Sequence, residues 1–85
     1  MDLSDLIALK IKELLNENNM TGYQLELKTG IHNSTIYMFL TRKTRTIRIE
    51  NLKYICEAFN ITLGDFFSDK RFDNVEAKDW QKREK

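Results

Sequence analysis

The apolar residues of the chain recur at the spacing of helices. Between residues 3 and 15 most of them lie three or four positions apart, which places them along one face of a helix. No alternation of apolar and polar residues extends far enough for a strand, and the chain has no proline and only three glycines. The pattern predicts an all-α protein, with a first helix that is capped by Asp2 or Ser4 and ends in the polar run 16–19.

The next two predicted helices are short and closely spaced. Thr21 and Gln24 match a capping box, in which each side chain bonds the other residue's backbone N–H, and Gly30 supplies a left-handed residue at which a helix can stop. A third helix, capped by His32 or Asn33, follows at once. Its inward positions are Ile36, Phe39 and Leu40. Two short helices joined by a turn that contains glycine are typical of a helix-turn-helix.

Two further helices complete the predicted core. The fourth follows the basic stretch 42–45, and its apolar positions are Ile47, Ile49, Leu52, Ile55, Cys56 and Phe59. Thr62 and Asp65 form a second capping box, which opens a fifth helix. We therefore predict one helix-turn-helix domain over residues 1–67. Residues 68–85 contain eleven charged residues, and we expect this C-terminal tail to be disordered, a solvated helix or a dimer arm.

Composition argues against several classes of protein. The apolar runs are too short to span a membrane and the first residues lack a signal pattern, so we expect a cytoplasmic protein without a membrane partner. One cysteine, Cys56, and one histidine, His32, allow neither an intrachain disulfide nor a four-ligand metal set, and we expect no cofactor, no metal and no small-molecule effector. His32 also has no evident nucleophile or carboxylate partner, which argues against an enzyme.

Positive charge is concentrated in the middle of the chain. Residues 28–54 carry six lysines and arginines against one glutamate, a net charge of +5, whereas residues 1–27 carry −3 and residues 55–85 carry −1. A dense local group of cations suits a polyanion such as DNA, because phosphate contacts depend on local charge density. On charge alone, a solvated basic loop is the alternative interpretation.

The outward positions of the third helix are uncharged. They are Asn33, Ser34, Tyr37, Met38 and Thr41. A solvent-facing helix is normally rich in lysine and glutamate, so this face is suited to a binding partner. Asparagine pairs with adenine, serine bonds base edges or phosphate, and methionine or a tyrosine ring contacts a thymine methyl. We therefore predict base readout from this face; the alternative is that Tyr37 and Met38 are half-buried against the first helix or the tail.

Candidate phosphate contacts flank the same face. Arg42, Lys43 and Arg45 follow the third helix directly. Thr21 and Tyr23 lie at the start of the second helix, where their hydroxyl groups can donate to the DNA backbone. The sequence therefore places predicted base readout and predicted phosphate contacts side by side.

Four segments of the chain carry a family resemblance by their order and spacing. They are Met20–Leu25, Lys28–Ile31, Ser34–Ile36 and Leu52–Phe67. Together the stretch 20–67 resembles the helix-turn-helix domain of the Cro/C1-type (XRE-like) repressors of bacteria and phages. The resemblance implies a five-helix, lambda-repressor-like fold and a homodimeric transcriptional regulator, a repressor, that binds a double-stranded DNA operator. It implies base readout by His32, Asn33, Ser34, Tyr37 and Met38, and backbone contacts from the start of helix two and from Arg42, Lys43 and Thr44.

Three positions depart from the family pattern. The family usually has a small residue where Glu26 stands, a glutamate where Leu40 stands and a glycine near Arg42, after the recognition helix. Because glycine relieves backbone strain, we expect the exit from the third helix to differ here. The dimer contact is expected at the fifth helix and the tail.

A protein-interaction module, such as an antitoxin-like partner or an adaptor, is the competing interpretation. The aromatic residues Tyr37, Phe72 and Trp80 would suit a protein interface. The two functions differ in their response to salt, since DNA binding weakens steeply with added salt and an apolar interface does not.

Overall fold

The computed structural model describes residues 1–76, and the helices of that range confirm the predicted all-α fold. The five α-helices are α1 (Leu3–Glu17), α2 (Gly22–Thr29), α3 (Asn33–Leu40), α4 (Ile49–Ala58) and α5 (Leu63–Phe67). A short 3-10 helix, Lys70–Asn74, follows α5. Within the described residues, no helix is long and apolar enough to cross a membrane.

The helix ends follow from local side-chain chemistry. Asp2 caps α1 by accepting a hydrogen bond from the Asp5 backbone N–H at 3.0 Å. Both predicted capping boxes are present, one at the start of α2 and one at the start of α5. Gly30 ends α2 in the left-handed conformation, with φ of 79°, as its type and position predict. Local signals in the sequence therefore fix where most of the helices begin and end.

One apolar core lies between the helices. Its fully buried side chains come from α1, α2, α4 and α5, and α3 contributes two further buried residues. These residues are Leu6, Ile11, Leu25, Ile36, Phe39, Leu52, Ile55, Cys56 and Phe66. Burial raises the pKa of the Cys56 thiol, so it stays protonated and packs as a small apolar side chain. Helices α2 and α3 pack against each other as well as against the rest of the core.

The packed structure continues past residue 67, where the apolar pattern placed the end of the core. The Phe72 ring lies 5.8 Å from the ring of Phe66 and 4.9 Å from that of Phe67. The Leu3 backbone N–H donates to the carbonyl oxygen of Glu76 at 2.8 Å. One aromatic side chain and one backbone contact give no periodic signal, which is why the sequence pattern missed them. The predicted roles of Trp80 and of residues 77–85 lie outside the described residues.

Candidate nucleic-acid interface

The turn between α2 and α3 is held by its own side chains. The Thr29 hydroxyl donates to the carbonyl of Leu25 at 2.8 Å and accepts from the backbone N–H of Ile31 at 3.1 Å. Ile31 is itself buried in the core. With Gly30 left-handed between them, these contacts set the angle at which α3 leaves α2. The helix-turn-helix is therefore an ordered unit, as its sequence spacing predicted.

Two residues of α2 fix the first turn of α3. The Glu26 carboxylate accepts a hydrogen bond from the Asn33 backbone N–H at 2.9 Å, which supplies a partner for an otherwise unpaired N–H at the helix start. A Cβ atom at Gly22 would lie 2.8 Å from the Asn33 side-chain oxygen, so a larger residue there would displace that amide from its observed position. Asn33 is consequently half-buried between the two helices.

His32 and Ser34 are joined at the start of α3. The Nδ1 atom of His32 accepts a hydrogen bond from the Ser34 backbone N–H at 3.0 Å and lies 2.8 Å from the Ser34 hydroxyl oxygen. A neutral imidazole that accepts at Nδ1 carries its proton on Nε2, which is then available as a donor. Both residues are exposed. His32 is thus the cap of α3, which was one of the two sequence predictions.

Tyr37 and Met38 extend the same face by one helical turn. The Tyr37 side chain is 57% exposed and that of Met38 is 40% exposed, although both are large and partly apolar. The alternative interpretation, in which both side chains are half-buried against α1 or the tail, is not observed for α1, and residues 77–85 of the tail lie outside the described residues. An uncharged, exposed set of residues on a short helix is chemically suited to contact base edges.

Arg42 does not point outward. Its backbone is left-handed, with φ of 65°, a conformation that favours glycine, which the family resemblance places near this residue. Its Nε atom donates to Asp5 of α1 at 3.0 Å, and its guanidinium lies over the Phe39 ring, 4.9 Å from the centroid. The donors of this side chain are therefore directed into the protein, and a DNA-backbone contact by Arg42, which stays a prediction, would require these bonds to break.

Arg45 is also engaged within the protein. Its guanidinium lies 3.1 Å from a carboxylate oxygen of Asp2, although the side chain is about half exposed. The other residues predicted to contact the DNA backbone are accessible to solvent. Lys43 and Thr44 are exposed, and Tyr23 is 60% exposed in the first turn of α2. Among the described residues, Lys43 forms no ion pair. Thr21 is exposed, but its hydroxyl caps α2 by accepting from Gln24.

One further cation near this surface is not among the site residues predicted from the sequence. Arg48, the residue before α4, is largely exposed, and its ion pair with Glu50 is long, at 3.8 Å. It lines a cleft of about 260 Å³ together with Thr35 of α3 and Thr44 of the following loop. The cluster of positive charge at 28–54 contained this signal, but the pattern did not distinguish Arg48 from its paired neighbours.

The described residues contain no group of three His, Cys, Asp or Glu side chains arranged to hold a metal ion. A family model of the Cro/C1-type HTH DNA-binding domain matches residues 10–71, which include α2 to α5 and part of α1. Comparison with curated proteins and with solved structures finds no match. The family match spans most of the chain and agrees with the helix-turn-helix described above. The chain therefore belongs to the family of Cro/C1-type helix-turn-helix DNA-binding domains.

Proposed function

We propose that this protein is a sequence-specific transcriptional repressor that reads the major groove of its operator with α3. The observation that carries the proposal is the exposed, uncharged face formed by His32, Ser34, Tyr37 and Met38, directly beside the exposed Lys43. A major groove accepts one helix, and its base edges present hydrogen-bond donors, acceptors and thymine methyl groups. The exposed side chains supply partners for each of these.

Each residue has a proposed role. The Nε2 donor of His32 would bond a base acceptor, and the Ser34 hydroxyl oxygen, whose proton is directed to His32 Nδ1, would accept from a base amino group. Tyr37 and Met38 would pack on thymine methyl groups. The side chain of Asn33 lies between α2 and α3, with its oxygen toward Gly22. Its contact with adenine would therefore use the side of the amide that faces away from Gly22.

Phosphate contacts would come from both sides of the groove. Lys43, Thr44 and Arg48 lie after α3, and Thr21 and Tyr23 lie at the start of α2. These contacts position the helix and supply affinity for any DNA, whereas the α3 face supplies the preference for one sequence.

We further propose that two copies bind together. One short helix contacts only a few base pairs, and a pair of copies on half-sites about 34 Å apart doubles the sequence that is read. A dimer that covers its operator excludes other proteins from that DNA, which makes repression the simplest consequence of binding.

Selection of bound sequences from random DNA, followed by titration of the selected site and of random DNA from 50 to 200 mM salt, tests the proposal. We expect a palindromic site and a fall in affinity of about 10³-fold if six phosphates are neutralised by the dimer. Absence of a selected sequence, together with salt-insensitive binding to another protein, would contradict it and favour an adaptor.

A further inference from the structure

The side chain of Arg42 connects the end of α3 to the start of α1. Besides its bond to Asp5, the guanidinium donates to the Ser4 hydroxyl and, at 3.1 Å, to the carbonyl of Phe39. It also lies 3.5 Å from the carbonyl of Thr44, in the loop beyond. One side chain therefore contacts α1, the last turn of α3 and the loop that follows.

Ser4 adds a second connection to the same loop. Its hydroxyl donates to the backbone carbonyl of Arg45 and accepts from Arg42, and the residue is only 5% exposed. We call the contacts of Arg42 with Ser4 and Asp5 the α1 clasp. Both ends of the loop 42–45 are thus attached to the first turn of α1, with Lys43 and Thr44 between the attachments.

Arg42 has a backbone conformation that is unusual for arginine. Within residues 1–76, three residues other than glycine are left-handed, and the other two are Asn19 and Asn60, of the non-glycine residue type that tolerates this conformation best. The left-handed residue lets its own N–H bond the carbonyl of Phe39 and the next N–H bond that of Met38, which closes the end of α3. The side-chain contacts of Arg42 add to these backbone bonds in offsetting the strain.

We propose that Arg42 is a positioning residue that holds the loop 42–45 in the conformation that presents Lys43 and Thr44 to DNA, and that it is not itself a phosphate contact. The inference rests on the proposed function for its effect on DNA binding. Its structural part, the ordering of the loop by the α1 clasp, is independent of DNA. In the folded protein the backbone N–H groups of Lys43 and Thr44 both donate to the carbonyl of Met38, at 2.8 and 3.1 Å. Protection of these two N–H groups from hydrogen exchange therefore measures how well the loop is ordered.

The first test compares Arg42→Gly with Asn60→Gly. Both substitutions place glycine at a left-handed position, with φ of 65° and 62°, but only the first removes the clasp. We expect amide hydrogen exchange at Lys43 and Thr44 to become at least about tenfold faster in Arg42→Gly, since fixing the backbone of one residue is worth about that factor. Asn60→Gly should leave both rates unchanged. Unchanged protection in Arg42→Gly would overturn the proposal.

The second test uses DNA and separates positioning from direct contact. If Arg42 positions the loop, Asp5→Ala should weaken binding to selected and random DNA alike by about tenfold, although it removes a negative charge. Asp5→Asn keeps a hydrogen-bond acceptor and should retain most of the affinity. If instead Arg42 contacts phosphate, Asp5→Ala frees the arginine and binding becomes tighter, which would overturn the proposal.

A double variant checks that the two residues act together. In the proposed arrangement, Asp5→Ala combined with Arg42→Gly binds DNA no more weakly than Arg42→Gly alone, because the clasp is already lost. Additive losses would contradict it. Faster exchange in both single variants without any DNA binding by the wild type would support the clasp and refute the proposed function, so the two failures are distinguishable.

Discussion

Two groups of cations on this domain have different partners. On one side, Arg71 of the 3-10 helix bonds Glu13 of α1 at 2.8 Å and Asp69 at 2.6 Å, and Lys10 lies 3.3 Å from Asp69. On the other side, Lys43 is exposed without an ion pair among the described residues, and Arg48 has only a distant one. The first group is neutralised by carboxylates of the same chain, and the second is available to a polyanion. Net charge alone does not separate them.

The largest difference is expected in sequence preference, which should depend on one tyrosine and not on another. Tyr37→Ala should reduce the ratio of operator to random-DNA affinity by about 10- to 100-fold, the usual value of one base contact. Tyr54 is also exposed, but it lies on α4 in a cleft with Lys28 and Glu57. Tyr54→Ala is the matched control, and competition titrations measure both ratios. An equal loss of this affinity ratio in the two variants would contradict the proposal that α3 reads the DNA sequence.

A smaller difference is expected between two lysines. Lys43→Ala should weaken binding to all DNA by a factor of about five to ten for each bound subunit at 0.1 M salt. It should reduce the slope of log K against log salt by about 0.9 for each subunit, since each copy loses one phosphate contact. Lys70→Ala removes the same charge from the 3-10 helix and should leave the slope unchanged. Titrations at four salt concentrations provide the comparison, and an altered slope for Lys70→Ala would show that the 3-10 helix also contacts DNA.

Two glycines should respond differently to the same added methyl group. In Gly22→Ala the new Cβ meets the Asn33 side-chain oxygen at 2.8 Å, whereas in Gly64→Ala the nearest atom is 3.6 Å away. We expect Gly22→Ala to lower operator affinity by about fivefold through displacement of Asn33, with little change on random DNA. Gly64→Ala should bind normally. Indistinguishable operator affinities for the two variants would mean that the position of Asn33 does not matter.

The smallest effect concerns acid stability. Hydrogen bonds from Arg71 hold the pKa of Glu13 and of Asp69 below their ordinary values of 4.5 and 3.8. A carboxylate with a lowered pKa in the folded state stabilises the fold above its ordinary pKa, and this contribution is lost as pH falls toward the folded-state value. Arg71→Ala should therefore flatten the dependence of Tm on pH between about pH 5 and pH 3, with Lys70→Ala as control. A parallel shift at all pH values would contradict this assignment.

The sequence predicts the features that depend on neighbouring residues. Both capping boxes and the left-handed Gly30 are confirmed, because each involves residues no more than three or four positions apart. The bond between Glu26 and Asn33 spans seven residues and a turn, and no periodic pattern shows it. The sequence shows that Glu26 departs from the family pattern. Its hydrogen bond to the Asn33 backbone depends on the angle between α2 and α3, which the sequence does not show.

The roles of the basic residues could not be predicted in the same way. Arg42 and Lys43 are adjacent in sequence and chemically similar, yet one is directed toward α1 and the other toward solvent. The difference depends on Ser4 and Asp5, about 38 residues away, and therefore on the packing of α1. The clustering of charge in the sequence indicates the stretch in which the basic residues lie, and the tertiary structure determines which of them are exposed.

The backbone hydrogen bond from Leu3 to Glu76 brings the two ends of the described part of the chain together. Domains whose ends meet tolerate circular permutation, since a short linker can join the old ends. New ends could be opened at the left-handed Asn60, between α4 and α5, without cutting a helix. In such a permuted protein α5 would precede α1, and the helix-turn-helix would remain a continuous segment.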